Sequence, residues 1–210
     1  KIYARPNRKQ EVKKIEVADG KPVFYTATDI LNLPREEESF VKTGINLIDK
    51  KMRGWKKGYV SVISGLRASG KSSVISEVCL DCVDSENRVG VFSGELAPKN
   101  FMRWMNLQAA GKGYVEPTQF YGYYNVRLEY QRKIADWLGQ NFFLYNNEYG
   151  NNFSAIMEEF EKKVENDKLD LLILDNLMAF NISNLGENKW DAQTEFVLSL
   201  QRLAKRKNIH

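Results

Sequence analysis

The chain has 210 residues, of which 43% are hydrophobic and 12% aromatic, so it can bury the core of one α/β domain with an appendage or of two small domains. Its net charge of +4 allows a polyanionic partner without requiring one. No apolar run approaches the roughly 18–20 residues of a membrane span, and the polar N-terminus differs from a signal peptide. The single histidine, His210, excludes histidine triads and His-rich metal sites. The Lys- and Asn-rich composition favours a cytoplasmic protein of a bacterium or of a phage-infected host cell, without a membrane partner.

The first part of the chain has the composition of an arm and a linker. Residues 1–14 carry six Lys or Arg against one Glu, which is typical of a solvated arm or of a contact with nucleic acid or a neighbouring subunit. A short helix is predicted to begin at Thr28 or Asp29, where a polar side chain can cap the first turn. We therefore assign residues 1–41 to a basic arm and linker with a short helix, and residues 42–210 to a compact domain.

A glycine-rich motif lies near the start of this domain. Residues 65–72 (GLRASGKS) fit the phosphate-binding pattern G-x-x-x-x-G-K-[ST] without a mismatch. Residues 59–64 (YVSVIS) are mostly β-branched and apolar and predict a buried strand, and residues 73–83 have the apolar spacing of a helix. This strand–loop–helix context indicates a nucleoside triphosphate site rather than an accidental turn.

The chemistry of the motif follows from its residue types. Gly65 and Gly70 allow the backbone to curl so that successive N–H groups point at one phosphate, and the following helix adds the positive end of its dipole. Lys71 is predicted to reach the β- and γ-phosphates, and the Ser72 hydroxyl to bind Mg²⁺ that arrives with ATP or another NTP or dNTP. The predicted nucleotide-binding residues are Gly65, Leu66, Arg67, Ala68, Ser69, Gly70, Lys71, Ser72 and Ser73.

Strand and helix patterns alternate along the rest of the domain, which predicts a mostly parallel sheet flanked by helices on both faces. The predicted strands cover residues 59–64, 88–93, 141–146 and 169–175. The predicted helices cover residues 73–83, 98–110, 126–138, 153–166 and 192–206. The sequence stops where another strand is expected, so we expect a domain that is truncated before its last strands.

Two acidic residues are candidates for the chemistry. Asp175 ends an apolar strand, where its carboxylate can hold Mg²⁺ directly or through water; a solvated strand-end aspartate is the alternative. Glu95 follows the second strand and is predicted to lie on the same edge of the sheet as the phosphate loop. There it can orient or deprotonate the water that attacks the γ-phosphate, or, alternatively, stabilise a helix start. Asn176 could orient the γ-phosphate or cap the turn.

Three further features allow more than one interpretation. The loop at 177–189 is polar and long, and either stays in solvent or contacts a ligand. The aromatic run at 120–124 (FYGYY) could stack bases, but packing in the core or between subunits is the expectation. Cys79 and Cys82 have the spacing of a redox pair or of half a zinc site, but their position inside a helix favours two free thiols that are partly packed against the sheet.

Two segments resemble one known family. Residues 43–49 (TGINLID), followed by Gly54, Gly58 and the phosphate loop, resemble the start of a RecA-like ATPase domain. Residues 92–96 (FSGEL), followed by a helix that contains Arg103, are similar to the glutamate-bearing segment of DnaB-type hexameric replicative helicases. Among these helicases the chain most resembles the phage primase-helicase and Twinkle branch.

The resemblance implies an ATP-dependent DNA helicase motor for DNA replication, which forms a hexameric ring, hydrolyses NTP between subunits and moves along single-stranded DNA. It implies that Lys71 and Ser72 bind phosphate and Mg²⁺, that Glu95 and Lys71 act in catalysis, and that Asp175 supports the metal. Asn184 and Lys189 become candidates for DNA contacts, since the loop after Asp175 lines the DNA channel in that family. Other replisome proteins would be partners, and the segment before residue 42 would pack on the neighbouring subunit.

Several features of the family pattern lie outside this sequence. They are a polar γ-phosphate sensor, further DNA loops and an arginine finger. We therefore expect the 210-residue chain to bind nucleotide, to hydrolyse it weakly and not to unwind DNA. The alternatives are a RecA/RadA-like recombination or repair ATPase, a non-motor helicase-loading ATPase and, least favoured, a small-molecule kinase.

Overall fold

The computed structural model describes residues 24–34, 37–66 and 68–210. The basic arm at 1–14 and the phosphate-loop residue Arg67 lie outside the described residues. The chain divides into two compact units, one that reaches to Glu37 and one over Glu38–His210.

The described part of the first unit contains helix α1 (Ala27–Asn32), which is held by a capping box. Asp29 N donates to Thr26 Oγ1 at 3.2 Å, and Thr26 N donates to Asp29 Oδ2 at 2.8 Å. The predicted short helix is confirmed, but the predicted start at Thr28 or Asp29 was wrong. Thr26 is the cap because the carboxylate that completes the box stands three residues further on.

The described part of the second unit contains seven strands and six further α-helices. The strands are β1 (Phe40–Val41), β2 (Trp55–Lys56), β3 (Val89–Ser93), β4 (Val115–Pro117), β5 (Tyr124–Val126), β6 (Phe142–Leu144) and β7 (Leu171–Asp175). The helices are α2 (Asn46–Met52), α3 (Lys71–Asp84), α4 (Pro98–Ala110), α5 (Leu128–Leu138), α6 (Phe153–Asp167) and α7 (Lys189–Lys207). Strands β1 and β2 pair antiparallel, as do β4 and β5.

The main sheet has three parallel strands in the order β6-β3-β7. Every residue of the central strand β3 is buried. Val89 and Val91 belong to a core with α3, α4 and α5, whereas Phe92 belongs to a second core with α6 and α7. Because side chains alternate between the faces of a strand, the two cores lie on opposite faces of the sheet. The predicted parallel sheet flanked by helices is confirmed.

The predicted strand over residues 59–64 does not form. These residues have no regular secondary structure, and Val62 is 84% exposed. At the edge of β7, Leu172 N donates to His210 O at 2.8 Å, and His210 N donates to Asp170 O at 2.9 Å. A β-branched sequence forms a strand only where another strand is available for pairing. Because His210 already makes the backbone hydrogen bonds at the start of β7, residues 59–64 do not pair there. A cavity of about 340 Å³ separates residues 60–63 from β7 and α7.

The other predicted elements are present with shifted ends. Strand β6 is shorter than predicted because only Phe142–Leu144 are in register with β3, and β7 begins two residues later than predicted because its pairing with β3 starts at Leu171. Helix α7 begins three residues earlier than predicted, since Asn188 Oδ1 accepts hydrogen bonds from Trp190 N at 3.0 Å and Asp191 N at 3.1 Å. Lys189 is therefore the first residue of a helix rather than part of the preceding loop.

Two expectations about side-chain packing have different outcomes. Cys79 and Cys82 are free and buried in α3, as expected, and burial raises the pKa of the Cys82 thiol to about 12. The expectation that the aromatic run at 120–124 packs in the core was wrong. Its four rings are exposed. Three lie in the turn between β4 and β5, and the fourth, Tyr124, is the first residue of β5. None of the helices in the described ranges is long and apolar enough to cross a membrane.

Candidate nucleotide site

The phosphate loop curls around its own lysine. Lys71 Nζ donates to Leu66 O at 3.0 Å and to Gly65 O at 3.3 Å. A Cβ atom on Gly65 would lie 2.8 Å from Ser69 Oγ, and Gly70 has a left-handed φ of +87°, so both positions favour glycine. Gly70 caps α3 without a side-chain hydrogen bond, which leaves the first-turn N–H groups to face an anion.

Ser72 and Asp175 meet across the sheet edge. Ser72 Oγ donates to Asp175 Oδ2 at 3.1 Å. Asp175 is only 4% exposed, and burial raises the pKa of its carboxyl above the ordinary 3.8. The hydrogen bond from Ser72 opposes that rise, the charge of Glu95 adds to it, and the Lys71 ammonium opposes it. The two residues predicted to hold the metal are thus direct neighbours.

Glu95 lies at the same strand ends. Ser93 pairs with Asp175 in the parallel register of β3 and β7, which places Glu95 just beyond that pair. Asn176 Nδ2 donates to Glu95 Oε1, so the residue after Asp175 holds the candidate catalytic carboxylate. The predicted placement of Glu95 on the phosphate-loop edge is confirmed, and its catalytic role stays a prediction. Asn176 Oδ1 is buried and has no partner in the described part of the chain.

Two amide side chains at the site were missed by the sequence analysis. Asn147 Nδ2 donates to Ser93 O at 2.7 Å and ties the residues after β6 to the end of β3. Gln108 Nε2 donates to Ser73 O at 2.9 Å and ties α4 to the first turn of α3. The position of Asn147 after a predicted strand was a usable signal, whereas nothing in the sequence distinguishes Gln108 from other helical glutamines.

A cluster of four phenylalanines supports the segment that follows Asp175. Phe180 stacks on Phe92 with ring centroids 4.2 Å apart, and lies 5.6 Å from Phe153 and 5.7 Å from Phe196. All four rings are buried. They connect β3, α6 and α7 to the short turn Leu177–Ala179 behind the strand end, and thereby fix the direction of the chain as it leaves the site.

The two candidate DNA-binding residues have different surroundings. Asn184 is exposed, and its Nδ2 donates to Ser154 Oγ on α6 at 3.1 Å. Lys189 is exposed at the start of α7. No hydrogen bond joins either residue to the phosphate loop, to Glu95 or to Asp175 within the described ranges, so these two residues are a separate candidate surface.

The segment that carries the resemblance at 43–49 has a structural role. Asp49 Oδ1 accepts hydrogen bonds from Thr43 N and Thr43 Oγ1, both at 3.0 Å, and Oδ2 accepts one from Gly44 N at 3.1 Å. Gly44 has a left-handed φ of +72° and lies directly against the Asp81 carboxylate of α3. The six-residue spacing of Thr43 and Asp49 therefore closes the turn before α2, and Gly44 in that turn packs against α3, the helix that follows the phosphate loop.

The residues present fit a magnesium ion bound together with a nucleotide. Mg²⁺ binds oxygen ligands, commonly one or two protein groups and the phosphates of the substrate, and Ser72 and Asp175 offer one hydroxyl and one carboxylate. The described residues contain no group of three or more His, Cys, Asp or Glu side chains that could hold a metal ion without such a substrate.

A parallel sheet with a glycine-rich loop, a helix N-terminus and an acidic strand end at one edge is the architecture of a P-loop domain. The chain belongs to the family described as AAA domain, whose sequence profile matches residues 27–210. A comparison with curated proteins found no match.

Two solved structures illustrate the likeness of this fold to known proteins. One, described as an ATPase domain, has a TM-score of 0.61 and 14% identity over 81% of this chain and 61% of that chain. Another is a DnaB-like replicative helicase studied with primase, also with a TM-score of 0.61 and 14% identity, over 81% of this chain and 42% of that chain. The fold is the RecA-like fold of DnaB-type helicase ATPase domains, as predicted, and the chain spans only part of the length of these proteins.

Proposed function

We propose that this domain is the motor of a replicative DNA helicase, which couples NTP hydrolysis to movement along single-stranded DNA. The observation that carries the proposal is the convergence of Ser72, Asp175 and Glu95 at one edge of the parallel sheet. The likeness to helicase ATPase domains supports this choice among the activities that a P-loop fold can host.

In the proposed mechanism each residue has one task. Lys71 would turn from the loop carbonyls to the β- and γ-phosphates. Ser72 and Asp175 would hold Mg²⁺, which would neutralise phosphate charge. Glu95 accepts the proton of the attacking water, and Asn176 fixes the Glu95 carboxylate in position. A bound cation would oppose the rise in the pKa of the Asp175 carboxyl that burial causes.

The wider role is proposed on the same basis. The domain would assemble into a hexameric ring in the cytoplasm and work with primase and other replisome proteins. Asn184 and Lys189 would contact the DNA backbone from the segment that follows the metal-binding strand. Lys189 suits this task, because it is an exposed cation at a fixed helix start.

Nucleotide binding is the first test, measured with a fluorescent ATP analogue with and without Mg²⁺. We expect Lys71→Ala to weaken binding about 10-fold to 100-fold, since a charge-assisted hydrogen bond contributes about 1.5–3 kcal/mol. Lys50→Ala removes an exposed lysine from α2 and serves as the matched control. Asp175→Asn should abolish the strengthening by Mg²⁺ while it leaves metal-free binding intact or tighter. Equal affinity in Lys71→Ala and Lys50→Ala would contradict the assignment of the loop.

Hydrolysis and its coupling to DNA form the second test. We expect Glu95→Gln to bind the analogue as the unaltered chain does and to release no phosphate above background. Single-stranded DNA should bind more tightly in the presence of a non-hydrolysable nucleotide, and this coupling should disappear in Lys71→Ala. The helicase proposal would be wrong if the chain bound Mg²⁺–ATP but its affinity for single-stranded DNA did not change when nucleotide was added. The chain would then be a P-loop protein with a different function.

A further inference from the structure

The turn between β4 and β5 presents aromatic rings to solvent. Phe120 is 63% exposed, and Tyr121 at the tip is fully exposed. Tyr123 and Tyr124 are each at least half exposed. Monomeric proteins seldom expose so many neighbouring aromatic side chains without a binding role. We define the hairpin surface as residues 118–125, together with Arg103 of α4 and with Lys112 and Arg127, which lie just before β4 and just after β5.

The turn is held in one shape. Arg103 of α4 donates from Nε to Asn125 Oδ1 and from Nη2 to Tyr124 O, both at 3.0 Å. Thr118 N donates to Tyr123 O at 2.8 Å, and Phe120 packs edge-on against the Tyr123 ring at 6.4 Å. Because these contacts order the backbone beforehand, a ligand that binds the rings has little loop entropy to remove.

The chain on either side of the turn is rich in basic residues. Residues 98–133 carry six basic side chains against two acidic ones, Glu116 and Glu129. None of the six forms an ion pair with a described residue, although cations elsewhere do, as Arg206 does with Glu161. The six are Lys99, Arg103, Lys112, Arg127, Arg132 and Lys133.

We propose that the hairpin surface binds a single-stranded nucleic acid, with unpaired bases stacked on Tyr121 and Phe120 and phosphates contacting Lys112 and Arg127. Exposed aromatic rings flanked by unpaired cations are the combination that sequence-tolerant single-strand binding uses. Protein interfaces are also enriched in aromatic and arginine side chains but are depleted in lysine, so Lys112 favours a nucleic acid over a protein partner.

This surface adds to the proposed function, because it consists of residues other than Asn184 and Lys189 and includes no residue of the phosphate loop. Its binding can therefore be measured in the Lys71→Ala background, where the nucleotide site is disabled. If the helicase proposal fails, the hairpin surface can still bind DNA in that background. If the hairpin inference fails, the nucleotide-coupled affinity described above is unaffected.

The test is fluorescence anisotropy of labelled oligothymidylate with the 210-residue chain. Removal of a stacking ring should weaken binding about 5-fold to 100-fold, so we expect at least the lower value for the Phe120→Ala, Tyr121→Ala double variant. Tyr149→Ala is the matched control, since Tyr149 is 82% exposed outside this hairpin.

Two further kinds of variant separate stacking from charge. Tyr121→Trp should keep the affinity for oligothymidylate, and Tyr121→Leu should lose it, because stacking requires a π-face. Arg127→Ala should reduce the slope of log affinity against log salt by about 0.7.

Each contrary result overturns the inference. One is an oligothymidylate affinity that does not change in the double variant; another is an affinity that Tyr121→Leu preserves. A third is a change in oligomeric state, measured by sedimentation, with DNA binding unchanged, which would make the surface a contact between protein subunits. Photocrosslinking of a bromodeoxyuridine-substituted strand supplies the positive identification, and Tyr121 is the expected attachment point.

Discussion

The buried phenylalanine cluster behind the site gives the sharpest stability test. Phe180→Ala removes a ring that is 7% exposed and that touches three aromatic partners at centroid distances of 4.2, 5.6 and 5.7 Å. Phe→Ala in a core costs about 3–5 kcal/mol, and aromatic pairs add to area burial, so we expect a loss of about 4 kcal/mol. That is a large part of the roughly 5–15 kcal/mol that stabilises a typical domain.

The assay is urea unfolding followed by circular dichroism. Phe120→Ala is the matched control, since it makes the same chemical change at an exposed ring and should stay within about 0.5 kcal/mol of the unaltered chain. Phe180→Leu should recover much of the loss because it keeps most of the apolar volume. A cost below about 1 kcal/mol for Phe180→Ala, with an unchanged dependence on urea, would refute the packing described here.

Two more predictions concern titrating groups. The pKa of Asp175 is raised on folding, so the native state holds this proton more tightly than the unfolded chain, and ionisation above the ordinary value of 3.8 costs stability. Asp175→Asn should therefore raise the melting temperature at neutral pH, by an amount that shrinks in acid; an equal or lower melting temperature at neutral pH would contradict this. Because burial raises the pKa of Cys79 well above its ordinary range and that of Cys82 to about 12, neither thiol should react with a thiol reagent at pH 8 until the chain is unfolded in urea. Rapid reaction in the native state, set against a free cysteine control, would show that α3 opens locally.

Much of the fold was predictable, because its signals are local. The helices follow from apolar spacing and from proline and glycine at their ends, as in α4, which begins at Pro98 and stops before Gly111. The parallel sheet followed from the alternation of strands and helices. The placement of Glu95 followed from a geometric rule, since neighbouring parallel strands end at the same edge.

The features that could not be predicted from the sequence depend on contacts between residues that are distant in the chain. Residues 59–64 have strand composition, but whether they join a sheet depends on which backbone reaches the edge of β7. The position of Asn147 after a predicted strand was a local signal, but its contact with Ser93, 54 residues away in the chain, depends on how the strands pair and has no local signal. The cap at Thr26 was predictable in principle, because a threonine three residues before an aspartate is a local signal.

Two contacts beside the nucleotide site are made by uncharged amides, one between the ends of β6 and β3 and one between α4 and α3. Asn147 and Gln108 donate to backbone carbonyl oxygens, and neither the donor nor the acceptor of these two hydrogen bonds titrates in the working range of pH. A change of pH can therefore alter the charges of the acidic residues without breaking these two contacts. The side chains that would act on the nucleotide, Glu95 and Asp175, are thus different from those that hold the neighbouring elements together. Each acidic residue can therefore be replaced while the Asn147 and Gln108 contacts remain.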